Sequence, residues 1–345
     1  MFAPQHNHSN TTPLMCFARV FCFAGWRTLL ALSYGCGACW VESMIQDYEV
    51  TRKLWDGRIP VQFVLDKLEF IQCSAKPFCI MVPGMSYFPL VLPRVLQYFL
   101  AVVDHFDADS VWLRYNTKPL KWHYPIGVLF DLLKTDDLLP WTIVLKTKDS
   151  PKEVMRFRGN DLESSYIQSV KEADQLKHKA RVVNSMKVDE HRQLWSSILH
   201  DKFDEFWAIN KKLMEASEGE PMLHVPIRIY QVDCSFHQPL ITPFDESDRP
   251  RTIADALKAV NIETQSPVIS HGIKIPLKTP LIWMVQNLSY LDNFIHIVVL
   301  PTSACMNLNQ LIMLSATEEN SKLQFGLSKM QITRLFVSKG GNSMF

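Results

Sequence analysis

The sequence predicts an α+β protein in which two mixed-sheet domains, each with a helix across the sheet, flank a helix-rich segment. Three observations carry this reading. Strand patterns around one helix fill residues 54–148, and a similar order of elements recurs over 222–300. The stretch between, 160–214, is charged, helically periodic and free of proline and glycine.

In the first domain Arg58–Leu65 and Phe78–Val82 read as strands. Leu90–Phe106 follows with Val95, Tyr98, Phe99, Val102 and Phe106 at helical spacing, and Pro93 fits its first turn. Val111–Tyr115 is a third strand, rich in β-branched and aromatic residues; Pro125–Leu133 is a short helix and Trp141–Leu145 a closing strand. This order is the ubiquitin-like β-grasp layout, one helix packed across a mixed sheet.

The second domain repeats it. Val225–Tyr230 is a strand, Thr252–Val260 a helix with Thr252 as N-cap, Val268–Ile273 a strand, Pro280–Leu288 a short helix and Phe294–Leu300 a closing strand. Pro119-Leu120-Lys121, then Pro125, an apolar helix and a strand led by Trp141 in the first domain match Pro276-Leu277-Lys278, then Pro280, an apolar helix and a strand led by Phe294 in the second. Chance similarity between proline-punctuated strand ends is the competing account of that match.

In the helix-rich segment, Asn160 followed by Glu163 is a capping-box pattern. Leu162, Tyr166, Val170, Ala173, Leu176, Ala180 and Val183 then fall on one helical face, with Lys177, Lys179 and Arg181 placed to complement the helix dipole. A second run carries Leu194, Trp195, Ile198, Leu199, Phe203, Phe206, Trp207 and Leu213, and Ala216–Pro221 reads as an exit linker.

Composition limits the function classes. The 345 residues suit two or three modest domains, and the apolar and charged shares, 47% and 21%, are those of an ordinary globular protein. A net charge of +1 supplies no global basic field for nucleic acid. Eight cysteines, four of them in the first 39 residues and the rest scattered, are too few for a disulfide framework, which suits a reducing, cytosolic setting. Residues 14–41 are apolar but interrupted by Arg19 and Arg27, and the uncharged run Thr28–Val41 is shorter than a membrane span. It reads either as a signal-peptide core or, preferably, as part of an upstream extension before a start at Met44. Residues 302–345, rich in Ser, Asn, Gln and Met, read as a poorly ordered tail.

No catalytic, phosphate-cradling or metal-binding motif is present, so neither catalysis nor a cofactor or metal is expected. Cys36 and Cys39 have C-x-x-C spacing, but the strand-to-helix context that activates such a thiol is missing. His123 is read as a packed or surface residue, and Asp136-Asp137 as solvated loop carboxylates. Two features remain. Lys171 lies one residue past Val170, about 100° round the helix from the apolar stripe, where a lysine is ordinarily a solvated helix former. Trp55, Arg58, Trp122 and Tyr124 combine aromatic and basic groups, which suits either a partner surface or the core of a domain junction.

Several blocks carry a resemblance. Leu54–Pro60 (LWDGRIP), Pro119–Leu133 (PLKWHYPIGVLFDLL), Lys171–Lys179 (KEADQLKHK), Phe203–Glu215 (FDEFWAINKKLME), Ile227–Gln231, His271–Ile273 and Leu288–Ile297 (LSYLDNFIHI) resemble, in unbroken order from about Met44 to Pro301, the autophagy protein five family. Residues 1–43 and 302–345 have no counterpart in it. The resemblance implies two ubiquitin-like domains, 44–150 and 222–301, around a helix-rich one, 151–221. It implies a non-catalytic scaffold in which Lys171 accepts the C-terminal glycine of autophagy-related protein twelve in an isopeptide bond made by conjugating enzymes. The conjugate would act as a ligase-like platform for attaching autophagy-related protein eight to phosphatidylethanolamine. A helix of autophagy-related protein sixteen would bind across the ubiquitin-like domains near Trp55, Arg58, Trp122 and Tyr124. The expected setting is cytoplasmic, with recruitment to the preautophagosomal membrane through the complex and no nucleic-acid partner. An adaptor that works unmodified, with Lys171 merely structural, is the alternative from another class.

Overall fold

The structure, a computed structural model, describes residues 47–301 apart from 72–74, 104–105, 135, 137, 158, 215–221, 233 and 264. The expectations for residues 1–43, including the Cys36–Cys39 pair, for the linker 216–221 and for the tail 302–345 lie outside the described residues.

The described chain begins with a helix that the strand-and-helix pattern did not anticipate, α1 (Tyr48–Asp56). Asp47 caps it, accepting from the backbone N–H groups of Glu49 at 2.9 Å and Val50 at 3.3 Å, and Leu54 and Trp55 are its buried face. The first β-grasp domain then runs β1 (Arg58–Leu65), β2 (Phe78–Pro83), α2 (Phe88–Leu100), β3 (Trp112–Tyr115), β4 (Lys118–Pro119), α3 (Ile126–Leu133) and β5 (Trp141–Lys146). Its sheet order is β2-β1-β5-β3-β4, with β1 and β5 parallel at the centre and the other pairs antiparallel. Helix α2 lays Phe88, Leu92, Val95 and Phe99 on that sheet. It stops at Leu100, short of the expected Phe106: the chain turns at residues 101–103, and the Phe106 ring folds back to within 6.4 Å of Phe99. Val102, expected on the apolar stripe, is therefore half exposed.

The helical region is four helices, not two: α4 (Asp161–His178), α5 (Arg181–Ser185), α6 (Val188–Leu199) and α7 (Phe203–Met214). Asn160 stands at the N-cap of α4 without the expected side-chain cap, because its φ/ψ of −90°/9° lies outside the extended region from which a cap side chain reaches back. The long stripe breaks where Lys179 and Ala180 both take left-handed backbone, φ 55° and 59°, so Val183 belongs to the next helix. Of the three cations expected to offset the helix dipole, Lys177 is buried, Lys179 is the left-handed cap residue and Arg181 starts α5. The second run breaks in the same way at Asp201, φ 55°.

The second β-grasp domain is β6 (Ile227–Tyr230), α8 (Ile253–Ala259), β7 (Val268–Ser270), β8 (Ile273–Ile275), α9 (Leu281–Leu288) and β9 (Ile295–Val299), with sheet order β6-β9-β7-β8. β6 and β9 are parallel and β7 pairs antiparallel with β9, so β6, β7, β8 and β9 repeat the roles of β1, β3, β4 and β5. Pro125 and Pro280 sit at the N-caps of the equivalent helices α3 and α9. Thr252 caps α8 in a capping box with Asp255. The single strand expected over Val268–Ile273 is a hairpin instead. His271 and Gly272 both have positive φ, 52° and 74°, the pair of conformations that a two-residue hairpin turn needs.

The two domains meet through α3, which packs on β7 and β9. Gly127 permits this: a Cβ there would lie 3.0 Å from the Gly84 carbonyl oxygen and 3.2 Å from the Tyr290 hydroxyl. Asp131 on the same helix accepts from the Gly272 N–H at 3.1 Å, and burial pushes its carboxyl up to about 7. The folded protein therefore holds a proton that the unfolded chain, with its carboxyl near 3.8, releases; stability is fullest below that value and declines as pH rises to about 7. Asp131→Asn keeps the acceptor and removes the titration. The variant should gain on the wild type as pH rises from 5 to 8, by on the order of 1–3 kcal/mol in chemical denaturation at pH 8; a difference that stays flat with pH would contradict this account.

Candidate acceptor lysine and interdomain groove

The block Lys171–Lys179 holds three lysines, two on helix α4 and one at its C-cap, and their surroundings differ sharply. Its buried face is Leu162, Tyr166, Val170, Ala173, Asp174 and Lys177, and it leans on the second β-grasp domain through the Tyr166 hydroxyl, which donates to the Leu291 carbonyl at 3.1 Å. Lys177 is completely enclosed. It donates to the Leu213 carbonyl and, at 3.0 Å, to the Asn293 side-chain oxygen, and burial pulls its ammonium down to about 8. Its lowered basicity makes it the better nucleophile in principle, but nothing can reach it. Lys179 is exposed at the left-handed helix cap. Lys171 is exposed on regular helix, and among the described residues no hydrogen bond or ion pair holds its side chain.

The carboxylates that follow it on the helix, Glu172 and Asp174, are already engaged. Asp174, one turn on, accepts from His178 Nδ1 and from the Val183 N–H, each at 2.8 Å. Glu172 pairs with Arg228 at 3.0 Å. The Lys171 amine thus projects from a firmly held helix with no local ion pair to break.

The four aromatic and basic residues singled out in the sequence form two separate sets of contacts. Trp55 is buried against Phe203 and Phe206, with centroids 5.6 and 5.1 Å away, and its indole N–H donates to Asp201 at 3.0 Å. Arg58 donates to the other oxygen of Asp201 at 2.6 Å and to the Trp55 carbonyl, also at 2.6 Å. Trp122 and Tyr124 are buried; Tyr124 packs edge-on against Tyr230 at 5.0 Å, across the boundary between the two β-grasp domains. Both rings present almost no surface in this chain, and the Tyr124 ring is part of the core of the domain junction, the second of the two readings the sequence left open.

Trp55 and Arg58, by contrast, border an open groove of about 320 Å³ where all three regions meet. Met81 of β2, Val91 and Arg94 of α2, Leu199 of α6, Asp201 and Leu291 complete much of its wall. Met81 and Leu199 are 45% and 48% exposed, an apolar pair left facing solvent between an arginine and an aspartate. Asp201 and Arg94 were not singled out from the sequence, and Leu199 was named only as part of the second apolar run. The one available signal was the aspartate between Leu199-His200 and Lys202, a residue type that tolerates left-handed backbone and so breaks a helix without glycine.

His123 is partly buried with its ring pulled down to about 4 by desolvation and the nearby Lys121 and Arg228, so it is a packed residue. Among the described residues no group of three or more His, Cys, Asp or Glu side chains is placed to hold a metal ion, and no helix is long and apolar enough to cross a membrane. An amine-reactive acylating probe applied to folded protein at pH 8 should modify Lys171 and Lys179 and spare Lys177 until the chain is denatured. Early labelling of Lys177, read by peptide mass, would mean that the helix face opens.

Three family models match the chain: "Autophagy protein ATG5, UblA domain" over residues 54–147, "Autophagy protein ATG5, alpha-helical bundle region" over 159–216, and "Autophagy protein ATG5, UblB domain" over 224–299. Autophagy-related protein 5 of Caenorhabditis elegans is 40% identical over 272 residues, an alignment spanning 74% of this chain and 98% of that protein. Autophagy protein 5 of Drosophila melanogaster is 37% identical over 265 residues, with the same shares of each chain. The crystal structure of Kluyveromyces marxianus Atg5 has the same fold, with a TM-score of 0.65 at 22% identity over 73% of this chain and 99% of that one. Two ubiquitin-like domains around a helical bundle, matched in order and along nearly the whole length of these relatives, make the chain a member of the autophagy protein 5 family.

Proposed function

We propose that this chain is an autophagy scaffold activated by covalent modification at Lys171, with autophagy-related protein twelve as the modifier. The observation that carries the proposal is the contrast within one helix: Lys171 is exposed and unpaired among the described residues, whereas Lys177 is sealed. In the reaction the Lys171 amine attacks the thioester carbonyl joining the modifier's C-terminal glycine to a cysteine of the conjugating enzyme. A C–N bond forms, the C–S bond breaks, the thiolate leaves with the electron pair, and the amine gives up a proton. A lysine amine is protonated in neutral water, so the conjugating enzyme supplies the base. This chain contributes the nucleophile and its placement, and the enzyme contributes the chemistry.

The conjugate then acts as a ligase-like platform that assists transfer of autophagy-related protein eight to phosphatidylethanolamine, in the cytoplasm and at the preautophagosomal membrane. The groove supports the second partner. An amphipathic helix of autophagy-related protein sixteen would lay an apolar stripe over Met81, Val91 and Leu199, meeting Arg94 with an acid and Asp201 with a base.

Reconstitution with the activating and conjugating enzymes and the modifier tests the first part. Intact mass should show one adduct, mapped by peptide digestion to Lys171, and Lys171→Arg should abolish it while leaving the fold intact. A folded wild-type chain that forms no adduct would leave an unmodified ubiquitin-like adaptor. The second part predicts that Val91→Asp weakens binding of the helix by at least about tenfold, as expected for a charge buried in an apolar contact, without changing conjugation at Lys171. Unchanged affinity in titration calorimetry would place the helix elsewhere.

A further inference from the structure

We propose that Arg228 is a positioning residue for the acceptor lysine, acting through Glu172; the proposal rests on the reading of Lys171 as acceptor. Arg228 belongs to β6 of the second β-grasp domain and is largely buried. Its guanidinium lies over the Phe294 ring at 3.7 Å and within 5.1 Å of Phe236. It donates to Asp292 at 3.3 Å and to Gln238 at 3.2 Å. All four of these partners lie in its own domain. One prong leaves it, Nη2 to Glu172 at 3.0 Å, and ends on the residue next to Lys171.

Helix α4 is held along a buried stripe, through Tyr166, Val170, Ala173 and Lys177. Its exposed flanks lie outside that stripe, where only small rocking of the turn is left to be restrained. By helical spacing Lys171 stands about 100° from Val170 on one flank of that stripe and Glu172 about 100° from Ala173 on the other, so the Arg228 tie adds a fixed point on the far flank and damps that rocking. At a side-chain radius of about 6 Å, a roll of about 10° moves the amine by roughly 1 Å. Acyl transfer is sensitive to displacements of that size, which cost up to about a hundredfold in rate.

The energetics suit positioning rather than stability. Glu172 is half exposed, and such a pair contributes little to folding. Arg228 is already immobilised by its stacking and by Asp292, so forming the tie orders only the glutamate. Removing Glu172 therefore loosens the turn without unfolding the domain.

The test is single-turnover discharge of the modifier from its conjugating-enzyme thioester onto the full chain, with enzyme concentration varied. Glu172→Ala and Arg228→Lys should each lower the maximal rate about three- to tenfold, with the half-saturating concentration and the adduct site at Lys171 unchanged. Glu172→Ala should keep the wild-type melting temperature and should speed hydrogen exchange in the turn around residue 172. The double variant should be no slower than the slower single variant, because both act through one contact. A Glu172→Ala protein that reacts at the wild-type rate overturns the proposal, as does a loss confined to the half-saturating concentration, which would make Glu172 a docking contact. Additive losses overturn it too. Absence of any adduct at Lys171 in the wild type is a different failure: it removes the acceptor reading itself and the positioning role with it.

Discussion

The tight turn Leu291–Asn293 of the second β-grasp domain is the point on which the helical region is hung. Leu291 offers its carbonyl to Tyr166, and Asn293 accepts from Lys177 while donating to Asn210 of α7 at 2.7 Å. Asp292 between them takes Arg228 and His296. Burial works to raise the Asp292 carboxyl, and His296 and Arg228 together overcome it, holding the group below the ordinary carboxylate range. Buried charges of this kind are weak evidence for net stability, but removing one partner of the set is costly because the rest are left unpaired. The turn therefore acts mainly as a registration device: helices α4 and α7 dock in the one position where each buried donor finds its acceptor.

How much of this was legible follows from what a sequence pattern records. Apolar periodicity located both sheets and the stripes of α2, α4, α6 and α7, since burial is what that periodicity reports. It failed where a polar residue is buried or the backbone is left-handed without glycine. Lys177 reads as a solvated cation near a helix end, and only the coincidence of Leu213, Asn293 and Asp174 in space makes its burial tolerable. Lys179, Ala180 and Asp201 end or begin helices through positive φ, and no glycine or proline announces them. At His271-Gly272 the glycine was present, but its value as a turn signal was hidden inside an otherwise strand-like run. Of the candidate site, Lys171 was legible only through its motif. The groove was half legible: Trp55 and Arg58 were singled out, and Asp201, which binds both, was not.

On the proposed reading, accessibility rather than basicity selects among the lysines of this segment. A depressed amine exists at Lys177 because water is excluded there, and the exclusion that lowers its basicity also bars a second protein. An acceptor that must meet a bulky thioester-bearing enzyme needs the opposite environment. Lys171 has it, with Asp174 and Glu172 drawn off by His178 and Arg228.

The internal repeat shows where that arrangement comes from. In the first domain β2 flanks β1 on the outer side, and its Met81 forms part of the groove wall. In the second domain the segment 237–241 lies beside β6 in that position, in an antiparallel register held by Ile229 and His237, which exchange both backbone hydrogen bonds at 2.8 Å, and by the Val225 N–H on the Ile241 carbonyl at 2.8 Å. β6 and its lead-in also hold the helical region. The N–H groups of Leu223 and His224 satisfy the Lys177 and Leu176 carbonyls at the end of α4, and Arg228 on the strand reaches Glu172. The lead-in to β6 and the turn Leu291–Asn293 are thus two places at which the second domain takes hold of α4. The β1 side of the first sheet borders the groove, while the corresponding β6 side of the second ties the helices that lie between the two domains.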